Sequence, residues 1–294
     1  MSDSASQRLG LFYSLGAMLL FCVSDAAVKH SLTSLSVFQL MALGNFGAVL
    51  LCGLYAWFKK VDLLHVNNKA VVGFYGTLYL LEMAAFFTAL SQMDFSILFV
   101  FVMTIPIVAA KLANLWLKEP LSLRRHAALV LAFTGVLLTV LLRHDGANLL
   151  QVTFWGVMFA ILDIAFCATK MVFLRRYGQG ENPQALNFWA LAIMMAGGVV
   201  MALFDGAPLH LEPGALWLLI YPFGVFLGGL LYVLSYQHAP ATIIAPVMYA
   251  QLPAAMLIGN LVFGEPLSLP LLAGSAVIAL AGLLFYWPSK EPVQ

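Results

Sequence analysis

Long apolar runs, each broken by a few polar residues, repeat along the whole chain. Ten of them fall at about 9–28, 35–57, 70–90, 95–116, 126–142, 152–173, 184–203, 214–235, 240–263 and 269–287. About twenty apolar residues in helical rise cross the hydrocarbon core of a bilayer. The breaks carry turn chemistry, as in Lys59-Lys60-Val61-Asp62, Arg143-His144-Asp145-Gly146, Gly178-Gln179-Gly180 and Asp205-Gly206-Ala207-Pro208. The pattern predicts an all-α membrane protein with ten transmembrane helices and no large soluble domain.

Composition agrees with lipid as the solvent. The residues are 63% hydrophobic and 9% charged, whereas a soluble domain carries about 25% charged residues. The first run is followed by Lys29 and His30 rather than by a small-residue cleavage site, so it reads as a retained first helix. Net charge is +1, which points to no nucleic-acid partner, but the placement of the basic residues is informative. With a cytoplasmic N-terminus, Arg8, Lys59, Lys60, Lys69, Lys118, Arg124, Arg125, Arg175, Arg176 and Lys290 all fall on the inner side. Lys29 and Arg143 alone fall outside, and Lys111 and Lys170 lie within spans. By the positive-inside rule, both termini are expected in the cytoplasm of a bacterial inner membrane. Cys22, Cys52 and Cys167 sit inside apolar runs and read as packing residues rather than a disulfide or metal set.

A duplication runs through the chain. Asn114-Leu115-Trp116-Leu117-Lys118-Glu119-Pro120-Leu121-Ser122-Leu123 returns 146 residues later as Asn260-Leu261-Val262-Phe263-Gly264-Glu265-Pro266-Leu267-Ser268-Leu269. Both copies follow a helix with an internal proline, Pro106 or Pro253. The expected division is a first repeat over 8–143, a linker at 144–151 and a second repeat over 152–288. Five spans per repeat is an odd number, so the second repeat enters the membrane inverted. Inverted repeats supply two related conformations, one open to each side, which is the basis of alternating access around a central cavity.

The two Glu-Pro-Leu-Ser-Leu junctions and their proline-bearing helices resemble EamA-type members of the drug/metabolite transporter superfamily. So do the stretches Ala89-Leu90-Ser91 to Phe95-Ser96-Ile97 and Ala239-Pro240-Ala241-Thr242. The resemblance covers nearly the whole chain. It implies a cavity lined by spans one, three, four, six, eight and nine. The segments around Asp25, Asp163 and Tyr249 resemble members that handle S-adenosylmethionine-like solutes, although many relatives carry arginine near the position of Asn45.

Ionisable residues within a span are costly and usually face the bundle interior. Glu82 lies mid-span on a face with Tyr75, Tyr79 and Phe86. It reads as a seat for an ammonium group, as a proton site, or as a protonated acid bonded to a neighbouring helix. Asp25 and Lys29, four apart, can pair on one helical face. Asp163 and Asp25 are further cavity candidates, with Tyr79 beside Glu82. Lys170 and Lys111 read as snorkelling to the headgroups or, with Lys29, Glu119 and Glu265, as members of an ion pair or gate. Tyr221, Tyr249 and Gln251 are candidate substrate contacts. Pro106 and Pro253 read as helix bends. Glu119 and Glu265 read as caps of the helices they precede or as gate residues. Gly224 and Gly228 allow close helix approach.

These features point to secondary active transport of a small amphiphilic, amino-acid-derived metabolite, with export favoured. Import of an S-adenosylmethionine-like, nucleoside-type or vitamin-type solute is the alternative. No Gly-x-x-x-x-Gly-Lys-Ser/Thr loop is present, so ATP is not the direct energy source and protons are the candidate coupling ion. An enzyme is disfavoured, because the six histidines are scattered and show no metal-binding spacing. The sequence asks for no cofactor and no metal. The lipid bilayer and the small solute are the expected partners of a monomer or homodimer.

Overall fold

The computed structural model describes residues 3–118, 123–141, 153–178, 180–209, 213–238 and 245–286, and all regular structure among them is helical. The first half holds α1 (Asp3–Ser31), α2 (Val37–Lys59), α3 (Lys69–Gln92), α4 (Phe95–Val102), α5 (Ile105–Leu117) and α6 (Leu123–Leu141). The second holds α7 (Phe154–Tyr177), α8 (Pro183–Asp205), α9 (Ile220–His238), α10 (Gln251–Phe263) and α11 (Leu269–Tyr286). Short 3₁₀ segments, Pro213–Leu219 and Ala245–Ala250, lead into α9 and α10. Seven segments are long and apolar enough to cross a membrane, and His126–Thr139, Val247–Phe263 and Leu269–Phe285 are shorter apolar helices.

Helix ends follow local chemistry. Ser36 and Gln39 form a reciprocal capping box at the start of α2. Asn68, Thr153 and Asn182 accept backbone N–H groups at the starts of α3, α7 and α8. The fourth span is not one helix. It breaks at Met103-Thr104, where the Thr104 hydroxyl donates to the Phe101 carbonyl at 2.7 Å and Pro106 opens α5 without an N–H to give. The ninth span breaks at the matching place, with a 3₁₀ segment ahead of α10 and Pro253 in its first turn. The two prolines thus accompany interruptions rather than smooth bends.

The 146-residue offset holds far beyond the motif that revealed it. α2 and α8 are both 23 residues long and start 146 apart, and α5 and α10 are both 13 residues long at the same offset. The left-handed residues are Lys60 and Lys118 in the first half and Gly206 and Gly264 in the second, again two pairs at that offset.

The most extensive helix neighbours belong to opposite halves: α1 packs on α9, α3 on α7, α2 on α8 and α6 on α11. α4 is central, with every residue from Phe95 to Phe101 buried. The outside is apolar. Trp57, Phe58 and Phe204 are 74%, 73% and 89% exposed, which water would penalise and lipid accommodates. The three cysteines are free thiols.

Candidate functional site

A cluster of ionisable residues lies between α1, α3 and α7. Glu82 on α3 is 4% exposed and forms an ion pair with Lys170 on α7. The Lys170 ammonium also sits 4.3 Å from the centroid of the Tyr79 ring. Of the two roles its position allowed, Lys170 takes the ion pair rather than the headgroups. It turns inward, because a buried carboxylate one helix away offers more than a distant interface. Glu82 is thus bonded to a neighbouring helix, but as a partner of lysine.

Asp163 lies on α7, two turns before Lys170, and is 2% exposed. Its Oδ2 has no hydrogen-bond partner among the described residues. Glu82, Lys170 and Asp25 are all within electrostatic reach of it. Asp25, on α1, is half-buried and adds a third acid. The Cys167 thiol faces Glu82, and Tyr75 lies beside both members of the ion pair. Among the described residues, Asp163 thus lies within reach of two further carboxyl groups and of the Lys170 ammonium, inside lipid-spanning helices where unbalanced charge is expensive.

An aromatic wall closes one side of the cluster. Tyr221 on α9 is 2% exposed, stacks edge-on against Phe87 at 6.0 Å and faces the Asn45 side chain. Gln251 opens α10 and donates to the Met18 carbonyl at 3.4 Å, while its own carbonyl lies 4.0 Å from Cys22 Sγ. Tyr249 packs against Gly282 of α11. Of the residues expected in the cavity, Glu82, Asp25, Asp163, Tyr79 and Tyr221 lie within electrostatic reach of one another, and Gln251 packs on α1.

A second polar centre forms where α1, α4 and the α10–α11 junction meet. Lys29 does not pair with Asp25, the partner one turn away that sequence spacing offered. It donates to Glu265 Oε1 at 2.8 Å and to the Met93 carbonyl at 3.2 Å, with the Phe263 ring 4.9 Å from its ammonium. Nor does Glu265 cap the helix that follows it. Its Oε1 accepts the Phe95 N–H at 2.6 Å, and its Oε2 accepts the Ser96 N–H at 2.9 Å and the Ser96 hydroxyl at 2.8 Å. It caps α4, whose own N-cap Asp94 makes no side-chain capping bond. Burial pushes the Glu265 carboxyl up, but Lys29 and the Ser96 donors outweigh it and hold the group below the usual glutamate range.

Lys111 Nζ lies 3.1 Å from His126 Nε2 across α5 and α6. Glu119 lies outside the described residues. Cys167, Ser96 and Phe95 were not legible as site residues. The serine offered a weak signal in its place beside a helix start. Cys167 gave only its three-residue spacing from Lys170 on one helical face.

The apolar shell, the ten spans and the charged interior define a multi-pass membrane protein. The chain belongs to the EamA-like transporter family, which matches residues 8–141 and 154–287. This is a family of transporters, not of enzymes. Among curated proteins, the chain is 26% identical over 192 residues to a riboflavin transporter of Vibrio cholerae, covering 64% of this chain and 62% of that protein. It is 26% identical over 215 residues to an uncharacterized transporter of Helicobacter pylori, covering 71% and 70% of the two chains. One crystal structure superposes with a TM-score of 0.68 at 16% identity, covering 94% of this chain and 96% of the other, which establishes a shared fold.

Proposed function

We propose that this protein is a secondary active transporter of a small amphiphilic metabolite bearing an ammonium group, amino-acid-derived, working by alternating access in a bacterial inner membrane with both termini cytoplasmic. Export is the favoured direction, and protons are the coupling ion. The observation that carries this reading is the excess of acid over base in the buried cluster. Glu82 is balanced by Lys170, but Asp163 and Asp25 have no second cation among the described charges that reach them. A substrate ammonium or a proton supplies the missing positive charge, and Tyr79 and Tyr221 offer faces for cation–π contact or stacking.

Import of a flat vitamin-type solute is the second reading. It is favoured by the riboflavin transporter among the relatives and by the aromatic wall of Tyr221 and Phe87.

A thermal-shift screen of the purified protein separates the two. The panel holds amino acids, S-adenosylmethionine-like amines, nucleosides and riboflavin, since a ligand that binds only the folded state raises its melting temperature by mass action. Amine-bearing compounds are expected to shift the wild type, and Asp163→Asn is expected to lose the shift while melting near the wild-type temperature. A shift with riboflavin alone would transfer the assignment to the second reading. Retention of the amine shift in Asp163→Asn would remove Asp163 from the site. Glu82→Gln is a poorer probe, because it breaks the ion pair with Lys170 and frees that ammonium for Asp163.

A further inference from the structure

We infer that the Lys29–Glu265 contact is a clasp between the two repeats that closes one face of the protein over the charged cluster and must open before the cluster is reached from that face. The inference rests on the transporter reading above. Lys29 and the N-terminus of α4 belong to the first repeat, and Glu265 belongs to the second. The Glu265 backbone is tied to its own repeat. Its N–H donates to the Gly259 carbonyl at 2.9 Å, and its carbonyl accepts from Asn260 Nδ2 at 3.0 Å. Its side chain crosses to the other repeat, where four donors engage its two oxygens. Gly259 keeps the crossing clear, since a Cβ there would meet both Ser96 Oγ and Glu265 Oε2.

The arrangement has the features of a latch rather than of general packing. In lipid, apolar faces gain little by choosing one partner over another, so polar contacts decide which arrangement of helices prevails. The members are partly screened from solvent, with the Lys29 side chain 18% and the Glu265 side chain 7% exposed. A small pocket of mixed polar and apolar lining, with Asp94, Ser96 and Glu265 among its walls, adjoins the contact. Asp25 stands four residues before Lys29, about 6 Å along α1. The clasp is therefore one helical turn from Asp25, an acid of the cluster it would cover.

Cys167 is a native reporter of access, because it faces Glu82 within the cluster. With Cys22→Ala and Cys52→Ala it becomes the single thiol of the chain. Its modification by a membrane-impermeant trimethylammonium methanethiosulfonate reagent is measured from each side, in right-side-out and inverted vesicles. Lys29→Gln and Glu265→Gln are each expected to speed labelling from the face bearing Lys29 by about tenfold or more, the change produced by ~1.4 kcal/mol lost from the closed state. Lys29→Arg, which keeps the charge, is expected to label as slowly as the parent. Hydrogen exchange supplies a second readout in which the amides of Phe95 and Ser96 exchange faster in Lys29→Gln. Unchanged labelling in both glutamine variants, or equal opening by Lys29→Arg, overturns the clasp. The assay needs no substrate, so that result would leave the transporter reading to stand or fall on its own flux and thermal-shift tests.

Discussion

The α1/α9 and α3/α7 interfaces are related by the same 146-residue offset, yet they are built from opposite chemistry. Ser24 and Lys170 occupy equivalent places, as do Gly228 and Glu82. In α1/α9 a Cβ at Gly224 would meet Ser24 Oγ and the Leu20 carbonyl, and one at Gly228 would meet the Phe21 ring. The backbones approach closely and the Ser24 hydroxyl is satisfied within its own helix by Leu20 at 2.9 Å. In α3/α7 the same two positions hold a carboxylate and an ammonium, with Asp163 and Cys167 beside them. One interface has been spent on close packing and the other on charge. Two repeats can share a fold while only one of the paired interfaces carries the ionic chemistry, so the site lies to one side of the relation between the halves.

Removing one member of the ion pair tests that contrast most severely. Lys170→Met leaves the Glu82 carboxylate buried without its partner and is expected to cost about 3–5 kcal/mol, and Glu82→Gln breaks the same pair. The melting temperature of the purified protein reads the loss, and the double variant should recover most of it. If either single variant melts like the wild type, the pair is not structural and the contrast with α1/α9 fails. Overfilling the glycine interface ranks second. Gly228→Leu should destabilise by about 1–3 kcal/mol through its clash with Phe21, whereas a large residue tolerated there would show that the helices are not held in close approach.

The left-handed helix ends give a smaller and opposite effect. Lys60 adopts φ 55 where its counterpart Gly206 has φ 63. A side chain in that conformation costs about 1 kcal/mol relative to glycine, so Lys60→Gly should raise the melting temperature slightly, and a fall would contradict the strain. The mildest test uses pH. The Glu265 carboxyl holds its proton less tightly in the folded protein than in the unfolded chain. Its stabilisation is therefore present above the ordinary carboxylate range and is lost as pH falls through its lowered value. Lys29 and Asp94 are the charged neighbours at this junction. Melting followed into acid should decline for the wild type and flatten for Glu265→Gln, and parallel curves would remove Glu265 as the source.

Much of the architecture was legible because lipid imposes a simple rule. Every backbone group must be bonded within its own segment, so apolar length alone reveals a spanning helix. The repeat was legible because Asn-Leu-x-x-x-Glu-Pro-Leu-Ser-Leu is conspicuous at each copy. The breaks at Met103-Thr104 and at 245–250 were visible only as nearby prolines, since a proline marks where a hydrogen bond is missing but not how the span is divided.

Pairing was the part that sequence spacing left open. Lys29 had Asp25 one turn away and Lys170 had the headgroups within reach, which are the partners that a single helix offers. Glu265 had its own following helix to cap. Each bonded instead to another helix: Lys29 to Glu265, Lys170 to Glu82, and Glu265 to the amides of α4. The sequence by itself determined the solvent, the ten spans, the duplication and how costly each buried charge would be, because the cost of placing each group in lipid is set by that group's own chemistry. Only the tertiary structure decided which charge met which, because an ion pair between helices depends on their rotation and depth relative to one another, and those follow from packing between segments more than eighty residues apart.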